Sequence, residues 1–139
     1  VVFVEAESKK VGNVTIPDGL MAAMRESPCV RLELSLPHRV QLLMEDYDYF
    51  SRDASFFCER LDKLIDLKGR ALIDDWKARV QAGQTAEVVA ELLERHYDPG
   101  YESSTSRNFR QYAQAEPLVL AGPDKQAMAD GAAQLLRSA

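Results

Sequence analysis

Apolar residues recur along this chain with two different periods, and the change of period divides it into segments. Val1, Val2, Phe3 and Val4 form an unbroken apolar run that meets Glu5, Ala6, Glu7 and Ser8. Four consecutive β-prone residues predict a strand covered on both faces, as in a parallel sheet flanked by helices. Residues 29–36 alternate instead, with Val30, Leu32 and Leu34 on a different face from Arg31 and Glu33, which predicts a second strand nearer the sheet edge. Between the two, Lys9, Lys10, Val11, Gly12 and Asn13 read as a basic turn into Val14-Thr15-Ile16. Asp18 is suited to cap a helix through Leu20, Met21 and Met24. That helix stops before Ser27-Pro28, because the residue preceding proline disfavours the helical region. Strand, helix and strand over residues 1–36 predict a right-handed parallel crossover.

From residue 37 the period becomes helical. Pro37-His38-Arg39 opens a helix whose Val40, Leu43, Met44, Tyr47 and Phe50 share one face. Ser51 or Asp53 caps the next, which carries Phe57, Leu61, Leu64 and Ile65 and is broken at Lys68-Gly69. A third helix runs through Leu72, Ile73, Trp76 and Val80 to Gly83, a residue fitted to the left-handed position after a helix. Thr85 caps a fourth, with Val89, Leu92 and Leu93 inward. Residues 37–110 are therefore expected to be a helical insertion that ends in a polar loop over residues 96–110. Residues 116–121 read as the last strand, ended by Gly122-Pro123. The final helix has Pro123 or Asp124 in its first turn and Met128, Ala132, Leu135 and Leu136 toward the sheet. The fold class expected is α/β, with about three mainly parallel strands, residues 111–139 supplying the last strand and helix.

Composition narrows this picture only modestly. The 139 residues are 46% hydrophobic and 28% charged, with a net charge of −5, enough chain to bury a core as one domain. The acidic balance argues against broad nonspecific binding to nucleic acid. No apolar run approaches the length of a membrane span. The chain has no initiating Met and opens inside an expected core strand, so it is expected to be a piece of something longer. Cys29 and Cys58 have neither zinc-site spacing nor the density of a disulfide scaffold, and both read as buried thiols. No G-x-x-x-x-G-K-[ST] loop is present, which places any such phosphate-cradling turn upstream of residue 1.

Candidate chemistry gathers at two places. Ligands of open α/β sheets bind beyond the carboxyl ends of the strands, which would put Glu5, Glu7 and Ser8 on the ligand side. Glu5 is then a candidate Mg²⁺ ligand, or simply a solvated strand end. In residues 96–110, Tyr97, Tyr101, Arg107 and Arg110 accompany a run of hydroxyls. Arginine forks suit phosphate and tyrosines suit stacking or apolar cover; a polar surface loop anchored by its tyrosines accounts for the same residues.

The stretch 3–12, Phe-Val-Glu-Ala-Glu-Ser-Lys-Lys-Val-Gly, followed by Ile16-Pro17, resembles the corresponding stretch of bacterial tRNA 2-selenouridine synthases. So do Ser27-Pro28, Arg39-Val40 with Asp46-Tyr47, and Tyr97-Asp98-Pro99-Gly100-Tyr101 with Ser104 and Arg107. Lys9 and Lys10 depart from it, standing where arginines are usual, which keeps charge but loses the guanidinium fork. The resemblance implies the C-terminal part of a P-loop NTPase-like three-layer domain with a helical lid-like insertion, preceded by a Walker A loop and an N-terminal rhodanese domain with its catalytic cysteine. It implies a cytoplasmic transferase acting on 2-thiouridine at the wobble position of lysine, glutamate and glutamine tRNAs. Geranyl diphosphate and selenophosphate would be its co-substrates, giving 2-selenouridine, and this stretch alone would have no turnover. It also implies Glu5 for Mg²⁺, Glu7, Ser8 and Lys9 for the diphosphate or substrate, and Arg39, Arg107 and Arg110 for charge stabilisation as a lid closes. Two other readings stay open: a P-loop small-molecule kinase-like domain, and a non-catalytic tRNA-docking module using Lys63, Lys68, Arg70, Lys77 and Arg79.

Overall fold

A computed structural model describes residues 1–6, 9–48 and 52–138 of the chain. The chain folds as two compact units, one of Val1–Glu33 with Asp98–Ala139, the other of Leu34–Tyr97. The architecture is a mostly helical α/β one with a short parallel strand pair.

The first unit opens with a correction. Residues 1–6 form no strand, and Val1, Val2 and Val4 are 95%, 85% and 61% exposed. An apolar run becomes an interior strand only where neighbours pair its backbone and cover both faces, and no described strand pairs with this one. The expected crossover with residues 29–36 is therefore absent. The first regular element among the described residues is a hairpin, where the sequence pattern suggests only a turn and an approach. In it β1, Lys10–Val11, runs antiparallel to β2, Val14–Thr15. Gly12, at φ 58°, supplies the positive dihedral that the first position of this two-residue turn requires.

Helix α1, Asp18–Glu26, follows with Met21 buried. Asp18 does not cap it: Pro17 holds the cap position, and Asp18, already in the helix, pairs with Lys9. Strand β3, Val30–Glu33, is shorter than expected because Leu36 and Pro37 already belong to the next helix. It lies parallel to β4, Glu116–Val119, with Leu32 opposite Leu118, and Leu120 N–H donates to the Glu33 carbonyl at 2.8 Å. Two expected strands thus form and pair in the expected sense.

In the second unit, α2, Leu36–Asp46, carries Pro37 in its first turn, where a missing N–H costs nothing. Then come α3, Ala54–Asp62, α4, Ile65–Lys68, α5, Arg70–Gln81, and α6, Thr85–Leu92. Asp53 caps α3 by accepting from Phe56 N–H at 2.9 Å; its rival Ser51, like Phe50, lies outside the described residues. Gly69 and Gly83 take φ 88° and 83° where two of these helices stop. Phe57, Cys58, Leu61, Ile73, Trp76, Val80, Val88 and Leu92 form one core, with Leu64, Ile65, Leu72 and Val89 packed on it. Thr85 is no cap: it is the first helical residue and is buried. Val88, rather than Val89, goes deepest.

A π-helical turn, Leu93–Tyr97, follows α6. Proline has no N–H for the carbonyl four residues back. For Pro99 that carbonyl belongs to Arg95, and it accepts a hydrogen bond from Lys68 Nζ instead.

Residues 98–108, expected as a loop sharpened by Pro-Gly, are helix α7, Asp98–Asn108. Asp98 and Pro99 sit in its first turn, where acid and proline are both favourable. The hydroxyl and amide side chains turn back onto carbonyls one turn earlier, as Ser106 does to Glu102 and Asn108 to Ser104. A 3₁₀ turn, Tyr112–Gln114, leads to β4, and α8, Lys125–Arg137, closes the unit. Asp124 caps α8 through the N–H groups of Gln126 and Ala127. The buried face of α8 is Ala127 and Gly131, with Met128 and Leu135 half-buried, whereas Ala132 and Leu136 are exposed. A Cβ on Gly131 would collide with the Leu120 side chain, so the helix seats against the chain at a position where it has no side chain.

Candidate functional site

Local chemistry in the first unit brings a basic side chain of the hairpin, the last turn of α1 and one face of α7 around a cleft of about 180 Å³. Its lining is Ala6, Lys9, Met21, Arg25, Ser104, Thr105, Asn108 and Phe109. Residues 104 and 105 each lie about one helical turn before residue 108, so both neighbour it on α7. Met21, buried on α1, and Phe109, buried just beyond α7, make the apolar floor. Lys9 and Arg25 are exposed cations on its rim. Lys9 is tied to Asp18, which lies below the ordinary carboxylate range first through its hydrogen bond to Lys9 and second through that cation's charge. Arg25 offers its guanidinium with no ion pair among the described residues, while its backbone carbonyl accepts from Arg110 N–H at 3.0 Å.

Beside this cleft the end of α7 is fixed from two directions. Arg110 grips Glu26 with both arms, Nε to Oε1 at 3.1 Å and Nη1 to Oε2 at 3.3 Å, and Gln111 donates to the Glu26 carbonyl. Tyr112 donates its hydroxyl to Glu102 Oε2 at 2.7 Å. Burial, and then that bond to a carboxylate, push the phenol up to about 12. Arg31, held by Glu33 at 2.8 Å on β3, adds positive charge near the same pair.

The anticipated residues fare unequally. Lys9 lines the cleft with Ser104. Tyr101 precedes Ser104 by one turn and is 58% exposed. Arg107 spends its Nε on the Ser103 carbonyl of its own helix at 2.9 Å, and Arg110 is engaged with Glu26. Glu7 and Ser8 lie outside the described residues. Arg39, on α2, and Tyr97, exposed and edge-on to His96 with ring centres 5.0 Å apart, belong to the second unit. Glu5 is exposed at the end of a segment that is not a strand. Among the described residues no group of three His, Cys, Asp or Glu side chains is placed to hold a metal. A single carboxylate such as Glu5 would need phosphate or water oxygens to complete a magnesium shell.

Arg25, Thr105 and Asn108 are polar cleft residues that sequence reasoning missed. A cation in the last turn of a helix reads as a complement to the helix dipole, and Asn108 falls in an expected loop. The basic residues suggested for docking are largely committed: Lys77 to Asp62 at 2.8 Å, Arg79 to Glu91 at 2.5 Å and Asp75 at 3.6 Å, and Lys68 to the Arg95 carbonyl. Both cysteines are free, Cys58 buried and Cys29 half-buried, and burial raises both thiols above their ordinary range, away from nucleophilic use.

Residues 1–63 match the family model described as the tRNA 2-selenouridine synthase AAA domain. Two curated proteins named tRNA 2-selenouridine synthase align with most of the chain. The one from Marinobacter nauticus is 27% identical and aligned over 88% of this chain, and the one from Bordetella bronchiseptica is 26% identical over 90% of it. The chain is similar to tRNA 2-selenouridine synthases over most of its length. It spans 39% of the length of each of these two relatives. No solved structure matches it. Among the described residues no helix is long and apolar enough to cross a membrane.

Proposed function

We propose that this chain is the later part of the P-loop-type domain of a tRNA-modifying transferase, with the cleft between α1 and α7 receiving the phosphate end of a co-substrate. The observation that carries the reading is the alignment of nearly the whole chain with proteins named for 2-selenouridine synthesis on tRNA. The cleft gives it a place to act: two cations and a hydroxyl face an apolar floor, a combination suited to an anion attached to an apolar group. In the fuller form of the proposal, geranyl diphosphate and selenophosphate are the co-substrates, and the wobble 2-thiouridine of lysine, glutamate and glutamine tRNAs is converted to 2-selenouridine. The second unit would serve as the lid-like insertion, with Arg39 as one of its cations.

Chemically, Lys9 and Arg25 would neutralise charge on phosphate oxygens, most strongly as a leaving diphosphate gains it. Ser104 would add a hydroxyl donor, and Met21 and Phe109 would exclude water on the apolar side. In full-length protein, Lys9→Ala combined with Arg25→Ala is expected to raise KM for the diphosphate or selenophosphate substrate by roughly tenfold or more, the scale of charged hydrogen bonds. Geranyl transfer and selenation are to be measured separately. Unaltered kinetics in both steps would remove the cleft from the reaction. Arg107→Ala, already bonded within its helix, is the comparison variant and is expected to change KM less.

A further inference from the structure

We infer that Arg110 and Glu26 form a positioning clamp for the cleft, and that Arg110 acts through Arg25 without touching the anion itself. This rests on the cleft reading above and adds a role for two residues outside its lining. The two are 84 positions apart in sequence, yet Arg110 Nη1 donates to Glu26 Oε2 at 3.3 Å and its Nε lies 3.1 Å from Oε1. Two backbone bonds flank that fork: Arg110 N–H to the Arg25 carbonyl at 3.0 Å, and Gln111 to the Glu26 carbonyl. The last turn of α1 is thereby fixed to the residues that leave α7. Arg25 is the residue whose carbonyl is held, and it lines the cleft together with Ser104 and Asn108. A guanidinium that binds its carboxylate with two nitrogens and supplies a backbone donor beside it has its geometry set by the protein. The ion pair is exposed, with side chains 78% and 54% accessible, so its contribution lies in orientation more than in stability.

The clamp makes a prediction whose sign separates it from simple electrostatics. Glu26 is an acid near an anion site, so neutralising it should tighten anion binding if charge alone matters. If Glu26 holds the arginine that holds α1 in place, neutralising it should weaken binding. Inorganic pyrophosphate is the probe, titrated calorimetrically into the folded full-length protein, with circular dichroism confirming that each variant is folded. Glu26→Gln and Arg110→Ala are each expected to weaken pyrophosphate by about threefold to fivefold, the range an exposed ion pair can transmit. The exchanged pair, Glu26→Arg with Arg110→Glu, is expected to recover most of that loss. Tighter or unchanged binding in Glu26→Gln would overturn the clamp, as would an exchanged pair no better than Arg110→Ala alone. Arg25→Ala separates the two levels: if it leaves pyrophosphate affinity intact, the cleft reading falls. If it weakens binding while Glu26→Gln does not, only the clamp falls.

Discussion

The two compact units bury their apolar residues to very different degrees. In residues 34–97, Trp76, Ile73 and Val88 are wholly inaccessible and Leu61 nearly so, within one core fed by α3, α5 and α6. In the other unit the buried residues are scattered as Met21, Phe109, Tyr112, Leu118 and Ala127, while Val1, Val2, Val4, Leu32, Val119 and Leu136 are exposed. The difference follows from how each element satisfies itself. A helix closes its own backbone bonds and needs only one apolar stripe covered, which three or four neighbouring helices can do for each other. A parallel strand pair leaves two edges and most of two faces to be covered by other elements.

Three measurements would break or sharpen this contrast. The largest effect is expected from Trp76→Ala, which removes the central side chain of the helical core and its indole hydrogen bond to Glu91 at 3.0 Å. A loss of about 3–5 kcal/mol in urea unfolding is expected, accompanied by loss of hydrogen-exchange protection in α3, α5 and α6. Protection that persists there would mean the core does not depend on this residue.

An intermediate effect is expected from acid. Glu91 lies below the ordinary carboxylate range, first through its bond from Trp76, then through Arg79, with Arg95 at 3.5 Å adding charge. A depressed folded value means that stability is fully present above the unfolded carboxylate's pKa, about 4.3. It is lost as pH falls through the lower folded value. The helical unit should therefore destabilise on the acid side of that window, and Glu91→Gln should flatten that part of the profile.

The smallest effect is expected from Val2→Ser with Val4→Ser. Side chains this exposed should alter stability by no more than about 0.5 kcal/mol. A loss of several times that would restore the interior-strand reading of the opening residues.

Legibility in the sequence tracked the same contrast. The helical unit could be read almost element by element, since its apolar positions recur with the helix period and Gly69, Gly83 and Asp53 mark real boundaries. The strands at residues 29–36 and 116–121 and their parallel sense were legible in outline, but not that they pair with each other. Val1 to Val4 were not, because an unbroken apolar run states a preference for cover without saying whether cover exists. α7 was hidden by Pro99-Gly100 and its hydroxyls, which favour turns locally but here begin a helix and bond back within it. The inward face of α8 was misplaced because Gly131, with no side chain to count, marks its closest approach. For the cleft, Lys9 and Ser104 were within reach of pattern and resemblance. Arg25 was not, because only folding places that last-turn cation across from α7.

The fork between Glu26 and Arg110 has a consequence for the chain's architecture as well. Together with the Leu120 bond to Glu33, it fastens the neck of the long excursion over residues 34–97 at two levels. Loop-closure entropy grows only logarithmically, about 0.6 kcal/mol for each doubling of length. Lengthening or trimming that excursion should therefore burden the scaffold little, leaving its size free to vary while the neck keeps its shape.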